Sequence, residues 1–215
     1  MNSIIILSLL VVLMLTGMPV SISLGLTVLS FLFFMTEVPI ESVALKLFTG
    51  IEKFEIMAIP FFILAGNFLT HGGVARRMIQ FATAMVGHWY GGLGLGGVLA
   101  CALFAAVSGS SPATVVAIGS ILMPAMVKAG FPKSFGAGVI TTSGALGILI
   151  PPSIVMVMYS VSTNTSVGAL FMAGVVPGLL LAFLLGLTTW YRAKKFDYPR
   201  QPKASWGQRW VAFRK

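Results

Sequence analysis

From Ile4 to Met35 the chain carries no charged residue. At about 1.5 Å per residue, one straight helix over that stretch would reach about 48 Å, well past a hydrocarbon core of about 30 Å. Two helices fit better. Gly17-Met18-Pro19, near the middle, is a natural break, because proline lacks a backbone donor and disfavours helix in the residue before it. One short span is expected on each side. The rest of the chain agrees with a lipid environment: 57% of residues are hydrophobic and 9% charged, against roughly 25% charged in soluble domains. Twenty-four glycines and eleven prolines are too many for plain helical rods. Membrane helices tolerate both where neighbours satisfy the freed backbone groups, so broken helices are expected. Met1-Asn2-Ser3 lacks the basic region of a secretory signal, which makes the first apolar run a retained span.

The segment Glu37 to Glu55 holds both signs of charge and reads as a loop on the soluble side. Ile56 to Leu69 reads as a third span, ending at Thr70-His71-Gly72-Gly73. Val74 to His88 starts with Arg76 and Arg77 and continues apolar, the pattern of a connecting helix at the membrane interface. Gly91 to Val107 and Ala113 to Val127 are apolar stretches joined by Ser108-Gly109-Ser110-Ser111-Pro112, small and uncharged. We read this as a re-entrant helical hairpin whose turn is enclosed by protein, where irregular backbone is tolerated at membrane depth. Two ordinary spans with a short surface loop return the chain to the same side and stay open as the alternative. Phe135 to Tyr159 is interrupted by Gly144, Gly147 and Pro151-Pro152, so this span should be unwound near its middle. Ala169 to Tyr191 is the last span, followed by a basic tail to Lys215. The fold class is thus an all-α polytopic integral membrane protein of about five spans plus one re-entrant hairpin.

The formal charge of +9 does not point to nucleic acid, because the basic residues sit between apolar runs rather than among aromatics on a soluble face. They mark topology instead. In this layout Arg76, Arg77, Lys128, Lys133, Arg192, Lys194, Lys195, Arg200, Lys203, Arg209, Arg214 and Lys215 share one face, which cytoplasmic loops should carry. Glu37, Glu41, Glu52 and Glu55, with only Lys46 and Lys53, fall opposite, placing the N-terminus outside. Cys101 lies in an apolar run and reads as packing. His71 and His88 are far apart in the chain and no H-E-x-x-H or G-x-S-x-G pattern accompanies them, so the reading is a non-enzyme.

The uncharged polar residues at depth carry more. Ser108, Ser110, Ser111 and Thr114 surround one break, and Thr141, Thr142, Ser143 and Ser153 another. Any one of them alone fits helix packing. Clustered at two breaks, they match the way secondary transporters place ion and substrate sites, with unwound carbonyls for a cation and helix N-termini for an anionic group.

The ordered set Gly109-Ser110-Ser111-Pro112-Ala113-Thr114-Val115, Pro132 and Gly144-Ala145-Leu146-Gly147-Ile148-Leu149-Ile150-Pro151-Pro152-Ser153 resembles the large permease subunit of tripartite ATP-independent periplasmic (TRAP) transporters. Gly17-Met18-Pro19-Val20, Ile59-Pro60-Phe61-Phe62 and Gly174 to Gly178 extend the resemblance along the chain. It implies an elevator-type carrier of the bacterial inner membrane, with no cofactor beyond Na⁺ as coupling ion, importing small organic acids of the dicarboxylate or sialic acid class. It implies as partners a periplasmic substrate-binding protein, a small TRAP membrane subunit, and a second inverted repeat that this chain lacks. On this resemblance, Ser108, Gly109, Ser110, Ser111, Thr142, Gly144 and Gly147 border sodium. Ser111, Pro112, Thr114, Pro151, Pro152 and Ser153 edge the substrate cavity. Residues 1–73 would be scaffold helices, 74–90 the arm, 91–165 the transport region, 166–195 the last span and 196–215 a basic cytoplasmic linker leading to the missing half. The chain alone should then not transport. A carrier independent of a binding protein and a non-transporting scaffold subunit are the competing functions.

Overall fold

A computed structural model describes residues 2–36 and 39–214. Glu37 and Lys215, used above to assign sides, lie outside the described residues, as does the side chain of Lys46. Every regular element among the described residues is a helix, and the chain forms two compact units dividing between Lys53 and Phe54.

The first unit holds α1 (Asn2–Leu15), α2 (Val20–Met35) and α3 (Ile40–Ile51). The break between α1 and α2 falls where the glycine and proline put it: Gly17 has φ +82° and Pro19 opens α2. α1 packs on α2. Within α2, Ser23 and Thr27 are buried, and the Thr27 hydroxyl donates to the Ser23 carbonyl at 2.7 Å. The loop expected between Glu37 and Glu55 is instead largely α3. In the sequence, apolar residues at positions 40, 43, 44, 47, 48 and 51 recur at three- and four-residue spacing, a helical periodicity that the mixed charges obscure.

The second unit runs from α4 (Phe54–His71) through α5 (Val74–Val86), α6 (Gly92–Ser108), α7 (Ser111–Lys128), α8 (Lys133–Gly144), α9 (Leu146–Leu149), α10 (Ile154–Thr163) and α11 (Val167–Lys195) to α12 (Trp206–Arg214). α6 lies at its centre, touched by α4, α5, α7, α8, α9 and α11. A helix without charge and dense in glycine suits that place, since every side of it must accept a neighbour. The core gathers Ala75, Ile79, Cys101, Phe104, Ile118, Leu122, Met126 and Ile140 around it. α5 turns Ala75, Ile79 and Ala82 into that core and leaves Arg76, Arg77 and Gln80 exposed. α4, grouped above with the first helices, packs on α6, α7 and α10 in this unit.

α4, α7 and α11 are long and apolar enough to cross a membrane, and α8–α9 with α10 form a further, bent pair. α1, α2 and α6 are apolar but shorter. Phe61 and Phe68 of α4, and Met172, Val176 and Phe183 of α11, are exposed, while Ser108, Thr114, Ser143 and Ser153 are fully buried. Apolar outside and polar inside inverts the soluble pattern and fits lipid as the solvent.

The tail after α11 is not a free linker. Tyr198 N–H donates to the Ala193 carbonyl at 2.9 Å and its ring packs on Phe135 at 4.7 Å between centroids. Arg200 lies 3.6 Å over the Tyr90 ring, Gln201 N–H donates to the Gly87 carbonyl at 3.0 Å, and Phe213 of α12 meets Phe81 of α5. The aromatics between its charges dock the segment.

Candidate functional site

The turn between α6 and α7 is built from standard end signals placed back to back. Gly109 adopts the left-handed conformation (φ 61°, ψ 10°) and its N–H donates to the Ala105 carbonyl, closing α6. Ser110 is extended (φ −129°, ψ 119°) and caps α7, its Oγ accepting from Ala113 N–H at 3.4 Å. Pro112 sits in the first turn of α7, where a missing N–H costs least. The Thr114 hydroxyl donates to the Ser110 carbonyl at 2.8 Å, which leaves its oxygen to accept from Ser108 Oγ at 3.1 Å. Ser108 and Thr114, both fully buried, thus fasten the two helices just below the turn.

The second break lies between α9 and α10. α8 ends at Gly144, and α9 adds a single turn to Leu149. Ile150 is extended, the Pro151-Pro152 bond is cis, and Ser153 (φ −133°, ψ 124°) caps α10 by accepting from Met156 N–H at 3.4 Å. The helix axis turns by 42° across this interruption. The prolines offer no N–H to continue α9, and Ser153 starts a new helix in the manner of Ser110.

These two breaks touch each other. Ile154 N–H, at the start of α10, donates to the Gly109 carbonyl at 3.0 Å. A Cβ on Gly109 would stand 2.7 Å from the Pro152 carbonyl oxygen, and one on Gly147 would stand 2.9 Å from Ser111 N and 3.1 Å from Ser110 O. Gly144 lies equally close to α7, its Cβ position 3.5 Å from Ser111 O and closer still to Val115. The C-terminus of α6, with carbonyls lacking helical partners, and the N-termini of α7 and α10, with amides lacking them, therefore meet beside Gly147 of α9, while the Leu149 carbonyl that ends α9 packs on Gly174 of α11. The end of α6 carries partial negative charge and the two N-termini partial positive charge. Such a junction offers oxygen to a cation and N–H groups to a carboxylate, without an ionised side chain.

The structure brings Ser108, Gly109, Ser110, Ser111, Pro112, Thr114, Gly144, Gly147, Pro151, Pro152 and Ser153 to this junction. Thr142 stands elsewhere. Its hydroxyl donates to the Gly138 carbonyl of its own helix at 2.7 Å, and it lines a separate groove of about 220 Å³ with Ser134, Phe135, Thr188 and Arg192. Beside the junction is Ser143, fully buried, whose Oγ has no hydrogen-bond partner. Ser143 is not among the residues that the family resemblance assigns to the site. No local signal separates it from Thr141 and Thr142, which are exposed: residues 143 and 147 stand four apart on a helix, but which face turns inward is set by the packing of Gly144 and Gly147.

A model of the family described as the tripartite ATP-independent periplasmic transporter, DctM component, matches residues 7–215. The chain belongs to this family. The C4-dicarboxylate TRAP transporter large permease protein DctM of Rhodobacter capsulatus is 75% identical over all of this chain and 52% of its own length. The protein of that name from Vibrio cholerae is 53% identical over 90% of this chain and 43% of its own length. The 2,3-diketo-L-gulonate TRAP transporter large permease protein YiaN of Escherichia coli is 37% identical over 92% of this chain and 46% of its own length. This DctM-family chain spans about half the length of the curated relatives it matches. Those relatives are named as permeases of membrane transporters, and the apolar helices of this chain agree with a place in a membrane.

Proposed function

We propose that the junction of the α6–α7 turn with the α9–α10 break is one half of the ion and substrate site of a sodium-coupled importer of small organic acids. The observation that carries this is the hydrogen bond from Ile154 N–H to the Gly109 carbonyl, with Gly147 against Ser110 and Ser111: two interrupted helices held end to end in a protein that faces lipid. A desolvated Na⁺ needs several oxygens, and the carbonyl end of α6 with the Ser143 hydroxyl can supply part of such a set. The capped starts of α7 and α10 suit a substrate carboxylate. C4-dicarboxylates are the first substrates to test, because relatives at 75% and 53% identity carry that name.

In this reading the hairpin moves as part of a transport domain against a scaffold. A second inverted repeat closes the other side of the cavity, a small membrane subunit completes the scaffold, and a periplasmic binding protein delivers the acid. The chain lies in the inner membrane with its N-terminus periplasmic. The deciding measurement is uptake of radiolabelled succinate into proteoliposomes holding this chain alone, or this chain with a second permease half, small subunit and binding protein. Uptake by the completed assembly, lost when Na⁺ is replaced by K⁺, is the expected result. Uptake indifferent to sodium would overturn the coupling, and uptake without the binding protein would overturn the delivery step.

A further inference from the structure

A second polar feature lies outside that junction. α4, whose length and composition suit a membrane crossing, ends at His71, and α5 begins behind Gly73. Between them, walled by Ile121 of α7, is a cavity of about 580 Å³ lined by Thr70, His71, Arg76, Arg77 and Gln80. Gly73 is left-handed (φ 77°, ψ 6°), caps α5 without a side-chain hydrogen bond and itself lines the cavity, so the positive dipole end of α5 lies at the cavity wall. The described residues lining the cavity include no carboxylate.

Position narrows the ligand. Leu64 and Phe68 of α4 are exposed as lipid-facing residues are, and His71 follows directly, so the cavity opens where the apolar surface ends. Lys128, at the end of the helix that supplies Ile121, and Arg76 and Arg77 belong to the face that charge asymmetry makes cytoplasmic. Basic pockets between membrane helices on that side suit anionic headgroups, whose chains here would run along the Leu64 and Phe68 face of α4. A small free anion would use only the polar end.

We propose that this cavity binds the headgroup phosphate of an anionic phospholipid. The test is native mass spectrometry of the 215-residue chain in detergent, titrated with dioctanoyl phosphatidylglycerol, with dioctanoyl phosphatidylcholine, and with inorganic phosphate as competitor. Phosphatidylglycerol should bind at least fivefold more tightly than phosphatidylcholine. R76Q should weaken it about fivefold, the effect of one basic residue at an anionic surface. R76K should retain binding, as should K203Q in the tail. Should R76Q not fold, Q80L, one turn along the same helix face, carries the expectation of weakened binding. Equal binding of phosphatidylcholine would overturn the proposal, as would an R76Q loss no greater than that of K203Q. Full displacement by equimolar inorganic phosphate would make this a free-phosphate site and overturn the lipid assignment.

Discussion

Replacing Gly147 by alanine tests the junction with a single methyl group. A Cβ there would stand 2.9 Å from Ser111 N, 3.0 Å from Ser110 C and 3.1 Å from Ser110 O. Ordinary contact begins near 3.4 Å, and all three atoms are backbone, so no side chain can swing aside. The turn or α9 must move by about half an ångström. Gly147 is helical and its φ is not positive, so alanine adds no torsional strain and gains about 1 kcal/mol of helix propensity. Overpacking costs about 1–3 kcal/mol, leaving a net loss of about 0–2 kcal/mol. Binding geometry tolerates only about 0.5 Å, so the larger effect should fall on the ion. We expect the Na⁺ concentration for half-maximal succinate uptake by the reconstituted assembly to rise about tenfold, equivalent to about 1.4 kcal/mol. Gly186 of α11 has nothing within 4 Å of its Cβ position, so G186A should raise the unfolding midpoint slightly and leave sodium dependence alone. If G147A matches G186A in both readouts, the two breaks do not form one site.

Other substitutions probe the surroundings. S143A removes a buried hydroxyl without a partner, so in sodium-free buffer it should raise stability by about 1 kcal/mol. On the proposed sodium site, Na⁺ should raise the thermal midpoint of the parent and S143A should lose that shift; an undiminished shift in S143A would remove Ser143 from the proposed site. S108A breaks the 3.1 Å bond to Thr114 and should cost about 0.6–1 kcal/mol in thermal unfolding in detergent, with a smaller loss in T114A/S108A than the sum of the single changes. R200Q removes the cation held 3.6 Å over Tyr90. At about 0.5–1 kcal/mol for such a contact, chymotrypsin should cleave at Trp206 about twofold to fivefold faster, and an unchanged rate would show that Tyr198 and Phe213 hold the tail without it.

What was legible in the chain depended on how far each signal reaches along it. The α1–α2 break at Gly17-Met18-Pro19, the turn at Gly109-Ser110-Ser111-Pro112 and the start of α10 at Ser153 are set by caps and prolines acting on neighbouring residues, and residue order alone locates them. The absence of charge from Ile4 to Met35 likewise determines the solvent, because each charge buried in hydrocarbon is costly. α3 is hidden because charges interrupt its apolar periodicity along the chain, so composition reads as loop while spacing reads as helix. Only tertiary structure decided which hydroxyl of Thr141-Thr142-Ser143 turns inward. Consecutive helical residues point about 100° apart, and the face of α8 and α9 that meets α7 is chosen by Gly144 and Gly147 allowing close approach. The docking of the tail also belongs to the fold, since Arg200 meets Tyr90 across a separation no local pattern spans. The meeting of the two breaks follows from the sequence only through the family resemblance, because the backbone hydrogen bond that joins Gly109 and Ile154 leaves no trace in side-chain identity.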